Sequence, residues 1–146
     1  MAIQRLFVTK RESFNLEAQR MLQTLQQELS MPATDVTIYE RYDIENLDAK
    51  DLESAKNLIF SEPPVDTVLE EIPSVQGFVF AVEYVPGQYD QRADSAEQCI
   101  SMLTLTTGHT VRCARVFVIE GTFTDEETES IKQYYINPVD SREASL

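Results

Sequence analysis

The sequence predicts an α+β protein in which helices cover one face of a β-sheet to form a two-layer sandwich. Three observations support this prediction. Short segments rich in β-branched and aromatic residues alternate with segments of helical periodicity. The order strand, helix, strand, helix occurs twice, each time with room for a closing strand. Similar motifs end the two halves: Glu53–Lys56 then Pro64–Asp66 in the first, and Glu129–Lys132 then Pro138–Asp140 in the second.

The two halves are offset by about 75 residues, which is typical of a duplicated small domain and too long for a solenoid repeat. We therefore divide the chain into a first repeat, 1–73, and a second repeat, 74–146. Two such β-α-β-α(-β) halves pack most simply like a dimer fused into one chain. This interpretation predicts a pseudo-twofold axis through the protein.

The first half begins with a predicted strand over Arg5–Thr9, which is rich in β-branched and aromatic residues. A helix follows, and Pro32 ends it. Alternation of apolar and polar residues from Val36 to Ile44 predicts a long strand. A second helix is expected around Leu52–Ile59, and Val65–Leu69 could close the half as a strand. The apolar positions of the first helix are Phe14, Ala18, Met21, Leu22, Leu25 and Leu29.

The second half contains the same elements in the same order. Phe78–Tyr84 is a predicted strand, and the next helix is expected to start near Asp94, with Glu97 three residues later. Val111–Ile119 matches the long strand of the first half. Thr124 and its partner Glu127 predict a capping box at the start of the last helix.

One pair of charged residues occupies equivalent places in the two halves. Aligning the long strands makes Glu40 correspond to Arg115, and both lie among apolar neighbours. Opposite charges near the axis of a fused dimer could meet each other. We therefore predict an ion pair between Glu40 and Arg115 across the axis; the alternative is two unrelated exposed charges.

Composition excludes several classes of function. With a net charge of -13 and a pI near 4.4, the chain would repel a phosphate backbone, so nucleic acid is not an expected partner. No apolar run approaches the roughly 18 residues needed for a membrane span, and the N-terminus does not resemble a secretory signal. Two cysteines form no disulfide framework, so we expect reduced thiols and a cytoplasmic location.

The sequence contains no pattern that predicts a catalytic, cofactor-binding or metal-binding residue. The four glycines stand singly at turns and form no phosphate-binding loop. Cys99 and Cys113 occupy apolar positions typical of core cysteines, although a dyad of Cys113 with His109 stays open. The acidic cluster fits either a cation or the first turn of a helix, which favours acids. Its residues are Asp90, Asp94 and Glu97.

Four segments are more specific than a fold pattern requires: Phe60–Asp66, Pro86–Ala96, Val111–Ala114 and Ile136–Ala144. With these segments the chain resembles, over essentially its whole length, the N-terminal domain of phosphoribosylformylglycinamidine synthase. The resemblance is to the single-chain form found in clostridia-like bacteria. It implies a PurS-like domain, which in this family is a fused duplicate of a small structural subunit. Because family chains continue well past the last of these segments, we expect the sequence to be excised from a longer polypeptide.

The resemblance also implies a function. The whole enzyme is a ligase of purine biosynthesis that uses ATP and glutamine to convert formylglycinamide ribonucleotide to formylglycinamidine ribonucleotide. In the family the synthetase, with its ATP and Mg²⁺, and the cysteine-dependent glutaminase lie in later domains. The expected partners of this domain are therefore those two domains, and its expected role is non-catalytic assembly. No oligomeric state is predicted.

The halves differ most between Gly87 and Arg92. The equivalent segment of the first half, 11–15, is a short charged stretch that leads directly into a helix. We expect this loop to contact the catalytic domain, together with charged residues near the chain end. Arg92 would bind an acidic group or a phosphate there; alternatively, it closes its own loop onto Asp90 or Asp94. The candidate contact residues are Gln88, Tyr89, Asp90, Gln91, Arg92, Asp140 and Arg142.

A rival interpretation comes from another class of protein. Duplicated ferredoxin-like domains often act as free-standing regulatory modules that bind a small ligand between their halves. Such a module needs a helix N-terminus or a glycine-lined loop at the junction. The turn at Pro86–Gly87 is the only segment that approaches this description.

Overall fold

A computed structural model describes residues 3–146 and has an α+β fold: a six-stranded antiparallel sheet and four α-helices. The strands are β1 Gln4–Lys10, β2 Ala33–Glu45, β3 Asp66–Leu69, β4 Gly77–Tyr84, β5 Thr110–Gly121 and β6 Ser141–Ala144. The helices are α1 Leu16–Gln23, α2 Ala49–Leu58, α3 Gln91–Thr104 and α4 Asp125–Tyr135. A 3-10 turn at Glu12–Phe14 precedes α1, and a π-helical turn at Thr24–Glu28 follows it.

The strand order is β3-β1-β2-β5-β4-β6, so each half of the chain contributes three neighbouring strands. The long strands β2 and β5 pair along almost their whole length and join the halves at the centre of the sheet. In this register Glu40 stands directly opposite Arg115, and Tyr42 stands opposite Cys113.

All four helices pack on one face of the sheet, which we call the helix face. Successive residues of a strand point to opposite faces. The even-numbered residues of β2, from Val36 to Ile44, and the odd-numbered residues of β5, from Val111 to Ile119, therefore point towards the helices. This arrangement is compatible with the two-layer sandwich predicted from the sequence.

The helix face carries two hydrophobic cores, and each core contains residues of both halves. One core lies between α2 and α3 near one end of β2 and β5. It includes Leu6, Ile44, Leu52, Ala55, Ile100 and Val111. The other lies between α1 and α4 near the opposite end and includes Met21, Leu25, Val36, Phe80, Ile119 and Ile131. Because each core joins one helix from each half, neither half buries its apolar surface without the other.

The opposite face of the sheet, which we call the linker face, is covered by no helix of residues 3–146. Its apolar centre is nevertheless buried. Leu69, the last residue of β3, and Ile72, in the segment that connects β3 to β4, pack against it. The central residues are Phe7, Tyr39, Ala81, Ala114, Val116 and Val118.

Two helix starts were predicted from capping chemistry, with different outcomes. The capping box of α4 is confirmed, because Thr124 accepts from the Glu127 amide and Glu127 accepts from the Thr124 amide. The predicted start of α3 near Asp94 was wrong. The Asp90 carboxylate accepts from the Ala93 amide at 3.1 Å and caps the helix, so α3 begins at Gln91 and Asp94 lies in its first turn.

None of the helices in 3–146 combines the length and apolarity needed to cross a bilayer.

The shared cores predict that the two halves unfold together. Ile100→Ala and Ile131→Ala remove fully buried side chains from different cores. Each substitution should lower the free energy of unfolding by about 2–5 kcal/mol and leave a single transition in urea, because each core spans both halves. Met102→Ala, at a residue 70% exposed on α3, is the matched control and should change stability by less than about 0.5 kcal/mol. Two separate transitions, only one of them shifted, would contradict a shared core.

Candidate functional site

Charged side chains meet at the centre of the helix face, between the two hydrophobic cores. Arg115 Nε lies 3.1 Å from Glu40 Oε1, so the residues that the repeat places at equivalent positions form an ion pair across β2 and β5. The other carboxylate oxygen of Glu40 lies 3.1 Å from Arg92 Nη1 on α3. One carboxylate therefore binds a guanidinium on the sheet and a guanidinium on a helix.

Two further contacts extend this pair of ion pairs. Arg115 also donates to Glu17 on α1, and Arg92 Nη1 lies 3.4 Å from the hydroxyl oxygen of Tyr42. Burial lowers the pKa of each arginine. Glu40 with Tyr42 at Arg92, and Glu17 with Glu40 at Arg115, more than offset it, so both pKa values lie above the ordinary one. Both guanidiniums therefore stay charged. We call Glu17, Glu40, Arg92 and Arg115 the central ion network.

The central ion network separates two cavities on the helix face. The first cavity, of about 550 Å³, is lined mainly by the first half, including Lys10, Asn15 and Asp66. The second cavity, of about 680 Å³, is lined mainly by the second half. Glu40, Arg92 and Arg115 belong to both walls. Each cavity is also bordered by the segment that leads from the first strand of its half into the following helix.

Equivalent aspartates in the two cavities have different partners. Asp66, which is buried, lies 2.9 Å from Lys10 Nζ and accepts from the Glu62 amide at 2.8 Å. Asp140, its counterpart in the repeated motif, accepts from the Ser141 hydroxyl at 2.8 Å. Within residues 3–146 no cation lies at salt-bridge distance from Asp140. The charge of the Asp66 carboxylate in the first cavity is therefore compensated by Lys10, whereas the charge of the Asp140 carboxylate in the second cavity is uncompensated.

The second cavity brings together most of the contact residues predicted from the sequence. Asp90, Gln91, Arg92 and Asp140 line it, along with the Glu40–Arg115 pair. Three other candidates lie elsewhere. Gln88 and Tyr89 are exposed in the preceding loop, where the Tyr89 hydroxyl donates to Asp94 at 2.9 Å. Arg142 lies on the linker face and pairs with Glu83 at 2.7 Å.

Arg92 has a partner that neither sequence-based alternative named. It binds an acidic group, but that group is Glu40 of the first half, not a residue of a second protein. No ion pair joins Arg92 to Asp90 or Asp94 in the described part of the chain. Its side chain remains 50% exposed, so one side of the guanidinium is still open to solvent.

The sequence did not single out Tyr135 as a site residue, although it lines the second cavity. Its hydroxyl is buried and has no hydrogen-bond partner among residues 3–146. Burial raises the pKa of Tyr135 to about 12, so it is a neutral donor at physiological pH. Helical spacing indicates only that Tyr135 shares an apolar face of α4 with Ile131, and no sequence signal marks a tyrosine that lies beside a cavity.

The thiol and histidine geometry differs from that of a nucleophilic dyad. Cys113 lines the second cavity, but burial and the nearby carboxylates Asp90 and Glu40 raise its pKa well above the ordinary value, which favours the unreactive thiol. His109 Nε2 lies 2.8 Å from the Thr106 hydroxyl oxygen, and no hydrogen bond joins it to Cys113. The pair that the sequence left open is therefore not assembled here.

The acidic cluster near the start of α3 is divided among separate structural contacts. Asp90 caps the helix, Asp94 accepts from Tyr89 and Gln98, and Glu97 accepts from the Val111 amide at 2.9 Å. Across residues 3–146 no group of three histidine, cysteine or carboxylate side chains is arranged to hold a metal ion. This cluster therefore fits the helix-start interpretation.

No protein-family model matches the chain, and no curated protein matches its sequence. The geometry of the site indicates a polar junction that joins four elements: β2, β5, α1 and α3. Its charged groups bind mainly one another, and its second cavity offers carboxylates, a neutral tyrosine and a half-exposed arginine to an incoming surface.

The central ion network predicts a measurable loss of stability on neutralising Glu40. Glu40→Gln removes the charge shared by two arginines and should lower the free energy of unfolding by about 1–2 kcal/mol, between the values for exposed and buried pairs. The effect should shrink in about 1 M NaCl, because salt screens the partly exposed charges. Urea unfolding at low and high salt measures both effects.

Glu71→Gln is the matched control, because Glu71 is exposed in the segment after β3 and forms no ion pair in the described residues. It should leave stability unchanged at both salt concentrations. A Glu40→Gln variant as stable as the original protein at low salt would mean that the network contributes no stability.

Proposed function

We propose that this chain is a PurS-like N-terminal domain of a phosphoribosylformylglycinamidine synthase. Its role would be to assemble and orient the synthetase and glutaminase parts of that enzyme, without taking part in the reaction. On this proposal the complete protein is a cytoplasmic ligase of purine biosynthesis. Its ATP and Mg²⁺ would bind outside this domain.

The observation that carries the proposal is the matched arrangement of the two halves around Glu40 and Arg115. Each half has the element order β-α-β-α-β, and the strand order reads outwards from β2 and β5 in the same way on both sides. A duplicated subunit fused into one chain would have this arrangement, with equivalent residues meeting near its axis. The repeated sequence motifs independently support a duplication.

The chemistry of the central ion network also supports a structural role. Catalysis by acid, base or nucleophile needs groups whose reactive atoms are free to meet a substrate. Here Glu40 is shared between two arginines, and the thiol of Cys113 is kept protonated by burial. These groups hold elements of the fold together.

The second half supplies the surface that we assign to interdomain docking. Its strand-to-helix loop exposes Tyr89, which is 65% accessible, next to the second cavity with its uncompensated Asp140. An exposed aromatic side chain beside polar groups is typical of residues that anchor protein interfaces. In the first half, the equivalent carboxylate is already bound by Lys10.

Deleting the domain from its gene tests the assignment to purine synthesis. Source cells in which the codons for residues 3–146 are removed in frame should require added purine for growth. Their extracts should lack glutamine-dependent formation of formylglycinamidine ribonucleotide, because the remaining parts are no longer held together. Reintroducing the intact gene should restore both. Growth without purine, together with normal activity in the extract, would reject the assignment.

Tyr89→Ala tests the docking surface separately from the identity of the enzyme. In the full-length protein this change should lower glutamine-dependent turnover by about tenfold or more, the loss typical of one interface anchor. Phe14→Ala is the matched control, because Phe14 is an exposed aromatic residue, 50% accessible, before α1 in the first half. Its turnover should stay normal. Equal turnover in the two variants would move the docking surface elsewhere without affecting the assignment.

A second candidate function is a regulatory module that binds a small ligand between its halves. Two observations favour it: the cavities beside the central ion network have the volume of small-molecule sites, and the Tyr135 hydroxyl in the second has no partner among residues 3–146. The deletion experiment separates the candidates. Loss of such a module would alter a response to its ligand and leave purine synthesis intact.

A further inference from the structure

A third cavity, of about 390 Å³, lies on the linker face, away from the central ion network. Its wall contains four arginines: Arg5, Arg41, Arg112 and Arg142. They come from three adjacent strands, β1, β2 and β5, and from β6, which β4 separates from β5. In a chain with a net charge of -13, such a concentration of positive charge needs a local explanation.

Carboxylates of the same wall neutralise only two of the four arginines. Asp43 is bound by Arg5, whose Nε and Nη2 contact its two oxygens at 2.6 and 2.9 Å. Glu83 is bound by Arg142, whose Nε and Nη2 both reach Oε2, at 2.8 and 2.7 Å. Glu143, the third acid of the wall, pairs with Lys132 on α4 at 3.1 Å. These carboxylates are therefore already bound by other basic residues.

Arg41 and Arg112 are left without a carboxylate at salt-bridge distance within residues 3–146. Arg41 is only 5% exposed, and its Nη1 donates to the Ser145 carbonyl at 2.6 Å. A guanidinium has five N–H donors, so most of those on Arg41 have no acceptor in the described chain. Asp43 and Glu83 act on its charge only from beyond salt-bridge distance. The remaining Arg41 nitrogens are not among the fully buried polar atoms that lack a partner, so these donors reach solvent and can meet a ligand in the cavity.

The register of the sheet places the two arginines close enough to act on one ligand. Arg41 stands opposite Ala114, and Arg112 lies two residues before Ala114 on the same strand. Such diagonal neighbours on paired strands are about 7–8 Å apart, within reach of two long side chains. Both residues point to the linker face and line the same cavity.

We propose that Arg41 and Arg112 form a binding site for a phosphate group, either free inorganic phosphate or a phosphate monoester. Two uncompensated guanidiniums match the charge of a phosphate dianion. Their planar forks bind phosphate oxygens through charge-assisted hydrogen bonds. A carboxylate group would neutralise only one of them. The site lies on the face opposite the central ion network and is independent of the proposed function.

Calorimetric titration of the 146-residue chain tests this site. The probes are inorganic phosphate, glycerol phosphate and acetate, each at pH 7.5 and at an ionic strength held constant with chloride. At least one phosphate probe should bind with a Kd of about 1 mM or tighter, and acetate should bind at least about tenfold more weakly. Tighter binding of glycerol phosphate would identify the ligand as a phosphorylated small molecule. Tighter binding of inorganic phosphate would identify the free ion.

Arg112→Ala should weaken phosphate binding by about tenfold or more, because it removes a charge-assisted contact. Arg112 is exposed, so the variant should keep the stability of the original chain. Arg20→Ala, at an exposed arginine of α1 outside this cavity, is the matched control and should leave the affinity unchanged. No phosphate binding, equal binding of acetate, or equal affinity in the Arg112→Ala variant would overturn the proposal.

Discussion

The pairing of β2 with β5 is the interaction on which the rest of the structure depends. It runs from Ala33 opposite Gly121 to Glu45 opposite Thr110 and converts two three-stranded sheets into one. A three-stranded sheet with two helices has little room for a core, and an exposed central strand edge would be open to aggregation. Joining the long strands removes both edges. It also places the helices of each half where they can cover apolar residues of the other.

This pairing also explains why charged residues occupy the middle of an otherwise apolar face. The two cores cover the ends of β2 and β5, and the space between them is bridged by Glu40 and Arg115 with Glu17 and Arg92. Ion pairs with more than one partner are better satisfied than single pairs, so they tolerate partial burial. The network therefore links both halves at a position that no apolar side chain fills, and it leaves a cavity on each side.

Sequence patterns were a good guide to the elements and a poorer guide to the site. Periodicity placed the long strand near Val36–Ile44, and the spacing of Thr124 and Glu127 placed the capping box, because both signals are local. The start of α3 was misplaced, since two acidic residues four apart, Asp90 and Asp94, can each begin a helix and only hydrogen-bond geometry distinguishes them. The partner of Arg92 was beyond prediction for a similar reason. Glu40 is 52 positions away along the chain and comes close only through the β2–β5 pairing.

By itself, the sequence determined the α+β class, the order of the elements and the acidic net charge, and it predicted the pairing of Glu40 with Arg115. These properties follow from local periodicity, repeated motifs and residue counts, which need no knowledge of contacts. Only the tertiary structure decided which charges are satisfied. Asp66 and Asp140 share a repeated motif but only the former meets a lysine, and Arg5 and Arg112 share a face but only the former meets a carboxylate. Charge compensation depends on distances of a few ångströms between distant parts of the chain, because electrostatic attraction in water weakens steeply beyond direct contact.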